Sequence, residues 1–162
     1  MSNDEFTSGV EYPLPFDQFA VALCQSASRY ICILSPQLDH AAFDNSELVE
    51  ALSALARRSR QTQVRILVND SRLMVSRGHQ LLQLARRLPS TVHLRKLVEH
   101  PNWNNETIVI RDRDGVLFKP GGSDHEAFYE PDSRASTRRH LEMFDELWRF
   151  SEEDAELRSL TI

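Results

Sequence analysis

The run Tyr30-Ile31-Cys32-Ile33-Leu34 is apolar at every position and is closed by Ser35-Pro36. A strand of that kind has no face to give to water, so it belongs inside a sheet covered on both sides. Val64-Arg65-Ile66-Leu67-Val68 and Val92–Leu97 read as further strands. Helical periodicity fills the intervals. Before the first strand, Phe16, Phe19, Ala20, Leu23 and Ala27 share a face behind Pro15, whose missing N–H costs nothing at a helix start. Before the second, Asp44 and Glu47 form a capping box, Phe43 staples to Leu48, and Leu48, Leu52, Leu55 and Ala56 make the stripe. That helix ends in Arg57-Arg58-Ser59-Arg60, bases at the negative end of its dipole. A third helix lies within Leu73–Leu88, with Leu81, Leu82, Leu84, Ala85 and Leu88 apolar and Pro89 closing it. Gly78 interrupts it at a helix cost of about 1 kcal/mol, so a break or a close contact is expected there. Strands and helices alternating at this spacing predict βαβ units with right-handed crossovers. The expected fold class is α/β, a mostly parallel central sheet with helices on both faces.

Glu106–Ile110 and Val116–Phe118 then read as a hairpin about Arg111-Asp112-Arg113-Asp114-Gly115. A last helix from about Ser136 to Phe150 presents Leu141, Phe144, Leu147 and Trp148 to the core. A chain of 162 residues suits one domain with its own core. We place it at residues 14–152, after a flexible lead of 1–13 and before a loose tail of 153–162, with 120–135 the loosest interior stretch.

Composition narrows the class. Hydrophobic content of 41% with 27% charged residues is that of a soluble protein. The apolar runs fall short of the roughly 18 residues that cross a bilayer, and from Met-Ser-Asn-Asp-Glu, acidic and without an apolar stretch, no secretory signal is expected. Cys24 and Cys32 read as buried reduced thiols, and the expected location is cytoplasmic. A net charge of −5 argues against nucleic acid as a partner. The bases are nearly all Arg, with Lys96 and Lys119 the exceptions, which fits both a GC-rich genome and a taste for planar anions.

One stretch carries chemistry by what it lacks. Asn105, Thr107 and Asp112, followed by Gly122-Ser123, stand where the phospholipase D superfamily has His-x-Lys-x4-Asp and a Gly-Ser pair. The chain resembles a single half-domain of that family over nearly its whole length, through Ile31–Pro36, Val64–Val68, Asn105–Asp112 and Glu146-Leu147-Trp148. The resemblance implies a phospholipase-D-like α/β sandwich and a homodimer, since small members complete their site across two chains. In that family one His attacks phosphorus, a second protonates the leaving oxygen, and Lys neutralises the growing charge. An amide at Asn105 and a hydroxyl at Thr107 do neither job, so the family's catalytic roles carry over to no residue here.

Three readings of the region stay open: a structural relic, a repurposed pocket, and an enzyme using other groups. In the relic, Asn105 and Thr107 satisfy strand-end hydrogen bonds and Asp112 is a turn residue. In the pocket, Asn105, Thr107, Asp112 and Ser123, with His79, His100 and His125 at its edge, hold a phosphate or other small polar ligand. In the enzyme, His100 or His125 serves a weak phosphodiesterase. Asp124-His125-Glu126 is a poor metal set, because adjacent residues rarely converge on one ion, and no metal or cofactor is expected. Arg134, Arg138 and Arg139 at the start of the last helix oppose its dipole and hint at an anionic partner.

The stretch Arg77–Leu88 is also similar to that of an uncharacterised bacterial family found alone or fused behind acetyltransferase domains. That similarity implies at most an acetyltransferase partner. The expected function is a non-catalytic, phospholipase-D-like binding or regulatory domain.

Overall fold

The computed structural model describes residues 5–123 and 125–158. Among them one sheet contains, in chain order, β1 (Thr7–Glu11), β2 (Tyr30–Ser35), β3 (Gln63–Val68), β4 (Val92–Lys96), β5 (Thr107–Arg111), β6 (Gly115–Lys119) and β7 (Glu126–Glu130). Helices α1 (Phe16–Gln25), α2 (His40–Phe43), α3 (Ser46–Arg58), α4 (Arg72–Arg77), α5 (Gln80–Arg87), α6 (Arg134–Arg149) and α7 (Ala155–Arg158) join or cover the strands. The spatial order is β1-β7-β6-β5-β2-β3-β4.

β2 explains the sheet. Its Ile31 and Ile33 belong to one core with Phe16, Leu23, Leu48, Leu52, Val109 and Leu117, under α1, α3 and α5. Its Cys32 and Leu34 belong to a second core with Ile108, Ile110, Val116, Phe144 and Leu147, under α6. Helices therefore cover both faces, as the uninterrupted apolar run requires. Each buried Leu, Ile or Phe contributes about 1.5–3 kcal/mol.

The expectation of a mostly parallel sheet is corrected. β2–β3 and β3–β4 pair in parallel across their helical crossovers. The β2–β5, β5–β6, β6–β7 and β7–β1 pairs are antiparallel. After β4 the chain crosses to the other side of β2, and the later connections are too short to carry a parallel crossover.

The break at Gly78 separates α4 from α5, with Gly78 at φ 79°. Asn45, not Asp44, caps α3, its side chain accepting from the Leu48 N–H at 2.7 Å. Asp44 instead accepts from the Gln80 N–H at 2.9 Å and so ties α5 to the α2–α3 connection. Residues 7–11, inside the stretch read as a lead, form edge strand β1, of which Val10 alone is buried. Glu126–Glu130, inside the stretch read as loosest, forms β7. Beyond residue 150, Lys96 and Glu152 bridge, and Leu157 is buried against the first core. No helix of the described residues is long and apolar enough to cross a membrane.

Candidate functional site

Thr107 opens β5 at the sheet end where the parallel strands β2 and β3 finish, and it is buried. Two residues earlier Asn105 sits exposed at φ 63°, a left-handed conformation that Asn tolerates better than most residues. The 120–123 turn leans on this segment. A Cβ on Gly121 would lie 1.5 Å from the Asn104 carbonyl oxygen, so only glycine permits the approach. Ser123 shapes the same turn: its N–H donates to the Pro120 carbonyl at 3.2 Å, and its hydroxyl oxygen accepts from the Glu126 N–H at 2.8 Å.

His100 and Asn105 share a cleft of about 850 Å³ with Asn69, Glu99, Trp103 and Asn104. The loop between β4 and β5 holds itself in place. His100 Nδ1 accepts from the Asn102 N–H at 3.1 Å, Trp103 Nε1 donates to the Glu106 carbonyl at 3.3 Å, and the Asn69 amide donates to the Leu97 carbonyl at 3.1 Å. His100 Nε2 lies 3.9 Å from the Glu146 carboxylate, and its ring rests against Phe150. Amides, one imidazole and a carboxylate line the cleft, with no Lys or Arg among them. Such walls offer directional hydrogen bonds and little positive charge.

The nearest strand partner of Thr107 is Lys119, directly opposite on β6. Its ammonium lies 5.3 Å from the centre of the Tyr12 ring. The Tyr12 hydroxyl donates to Asp39, and burial followed by that carboxylate pushes the phenol well above its ordinary range. Tyr12, Asp39 and Lys119 escaped the sequence reading, because no local pattern links residues so far apart.

The other predicted residues go elsewhere. His79 is buried and caps α5: its Nδ1 accepts from the Leu81 N–H at 3.1 Å, and its Nε2 donates to the Leu38 carbonyl at 3.0 Å. Burial lowers its pKa, partly opposed by Asp44, and the His40 ring packs against it at 4.9 Å between centres. Asp112 closes β5 at the opposite end, roughly 17 Å away at about 3.4 Å per residue. Its carboxylate accepts from the backbone N–H groups of Ser28, Arg29 and Tyr30 at 2.9, 2.8 and 3.0 Å. His125 is exposed, and its carbonyl accepts from the Tyr12 N–H. Asp124 lies outside the described residues, and among those described no three His, Cys, Asp or Glu are placed to share an ion. Cys24 and Cys32 are buried free thiols, each pushed up to about 12 by burial.

Thus His100 and Asn105 meet in one cleft, the turn that holds Ser123 leans on its Asn104 wall, and Thr107 and Asp112 lie outside its lining. The model of a family described as a domain of unknown function (DUF7931) matches residues 13–160. No curated protein matches the chain. Among solved structures it is similar to Nuc of Salmonella typhimurium, a phospholipase D family member, at 16% identity and TM-score 0.66, covering 96% of this chain and 99% of that one. NucT from Helicobacter pylori is similar at 14% identity and TM-score 0.59, covering 93% and 100%. The archaeal chromatin protein TrmBL2, whose structure shows a mode of DNA binding, is similar at 13% identity and TM-score 0.63, covering 93% of this chain and 54% of that one.

Proposed function

Because the chain belongs to the DUF7931 family and has the fold of phospholipase D proteins, we propose that it is a binding or regulatory domain that no longer cleaves phosphodiesters by the reaction of that fold. Its ligand site is the cleft shared by Asn69, His100 and Asn105. The observation that carries this reading is the chemistry found where β5 begins, an exposed amide at Asn105 and a buried hydroxyl at Thr107. Neither group attacks phosphorus or neutralises a phosphoryl oxygen. Lys119, the adjacent cation, lies over Tyr12. The lining favours a small ligand rich in hydrogen-bonding groups. A phosphate there would find His100 and the side-chain amides of Asn104 and Asn105, with no Lys or Arg in the lining to balance its charge.

A second reading rests on His100, which stands in the same cleft 3.9 Å from Glu146 and could serve an unconventional phosphodiesterase. Two measurements on the full chain separate the readings. With bis(p-nitrophenyl) phosphate we expect no hydrolysis above buffer. In a thermal-shift panel of sugars, nucleosides and phosphates we expect a stabilising ligand whose effect is lost in Asn105→Gly and in His100→Ala. Glycine suits position 105, because it removes the amide while accepting the positive φ. Hydrolysis abolished by His100→Ala would instead establish the enzyme. The homodimer and the acetyltransferase partner remain part of the proposal, to be checked by light scattering and by co-purification.

A further inference from the structure

At the other end of the sheet, Arg113, Arg134 and Arg138 line a cleft of about 410 Å³ with Leu141. Arg134, Arg138 and Leu141 recur at four- and three-residue steps and so share one face of α6. Arg113 comes from a different element, the turn between β5 and β6. The two walls are tied together. The Ser133 N–H donates to the Asp114 carbonyl at 2.7 Å, and Arg111 donates to both the Asp114 carboxylate and the Pro131 carbonyl. Asp112 anchors the same turn to the α1–β2 connection.

Three of the nearby acids have partners outside the cleft. Asp112 is taken up by three backbone N–H groups, Asp114 by Arg111, and Asp145 by Arg65. Arg138 pairs with Glu142 in an exposed contact, whereas Arg113 and Arg134 have no ion pair among the described residues. Among the described residues no carboxylate lines the cleft. In a chain of net charge −5, three exposed arginines from two elements thus line one cleft together with Leu141.

We propose that this cleft binds a ligand with two or more linked phosphates, its guanidinium groups taking the phosphates and Leu141 the organic part. Guanidinium forks match phosphate oxygens in pairs, and two walls reward an anion long enough to reach both. The site is independent of the cleft at Asn105, so either reading can fail without the other.

The test is calorimetric titration of the full chain with inorganic pyrophosphate and with ATP, free of divalent metal, at low and at moderate salt. The proposal expects saturable binding at one site per chain. It expects Arg113→Gln and Arg134→Gln each to weaken that binding at least about tenfold, the worth of one charge-assisted hydrogen bond. Arg57→Gln, an exposed arginine on α3, should leave it unchanged, as should Asn105→Gly. Equal losses in Arg57→Gln would mean diffuse attraction and overturn the site. Loss in Asn105→Gly alone would move the anion to the other cleft, and no saturable binding at low salt would also overturn it.

Discussion

Removing the Asp112 carboxylate tests whether the third signature position acts on a ligand or on the fold. Hydrogen bonds to a charged acceptor contribute about 1.5–3 kcal/mol each, and Asp112 accepts three. The Ser28 and Arg29 bonds are exposed, so water replaces most of what they lose, while the Tyr30 bond is part-buried and is lost more fully. The expected cost of Asp112→Gly is therefore about 2–4 kcal/mol, well under the simple sum. Alanine adds about 1–2 kcal/mol, because φ at this position is 50°. Asp112→Asn keeps one carbonyl oxygen and the tolerated backbone, and should cost least of the three. Urea unfolding at constant slope measures the series, and for this length the melting temperature should drop roughly 5–15 °C in Asp112→Gly. Affinity of the folded fraction for a ligand of the Asn105 cleft should not change. A variant that melts with the wild type, or one that loses ligand while keeping its stability, would refute a structural role for Asp112.

Neighbouring glycines should respond oppositely. Gly121→Ala drives a Cβ into the Asn104 backbone and should cost about 1–3 kcal/mol, while Gly122→Ala, with nothing within 4 Å of its Cβ, should stay near neutral by the same unfolding assay. Burial holds His79 below its ordinary value of 6.5, so the unfolded chain binds the proton more readily. Stability is then full above pH 6.5 and falls as pH drops through that value toward the lower folded one. His140, lowered by burial and by Arg139, pulls the same way. Melting temperature should fall between pH 7 and 5.5, with a shallower slope in His79→Gln, and a rise would contradict the assignment. Cys24 and Cys32 should ignore a thiol-reactive disulfide in the native state and react after unfolding, since their thiols are pushed up to about 12.

What could be read in the chain follows from how local each signal is. β2 announces burial on both faces through five consecutive apolar residues, and Gly78 announces the break between α4 and α5. β1 could not announce itself, because Val10 is its one buried residue and its partner lies beyond residue 125. β7 does alternate, with Ala127 and Tyr129 inward, but Pro120-Gly121-Gly122 and Pro131 frame it as loop. The direction of β5 depends on which side of β2 the chain chooses, and no local period records that choice. The meeting of His100 and Asn105 was legible because only four residues of loop separate them. The separation of Asp112 from Thr107 was not credited, although a five-residue strand spans the sheet. His79 read as a pocket edge because its partners, Leu38 and Asp44, are distant in sequence.

The pairing of β1 with β7 joins Thr7 to Tyr129 and Val10 to Ala127, with an irregular register between them. Closing so long a loop returns little, since only Val10 brings apolar surface to it. β1 is thus an edge strand held by little apolar burial, and its release would bare the hydrogen-bonding edge of β7. A second copy could offer its own residues 7–11 to that edge in the same register. The tie that closes the chain on itself would, in such an exchange, join two chains instead.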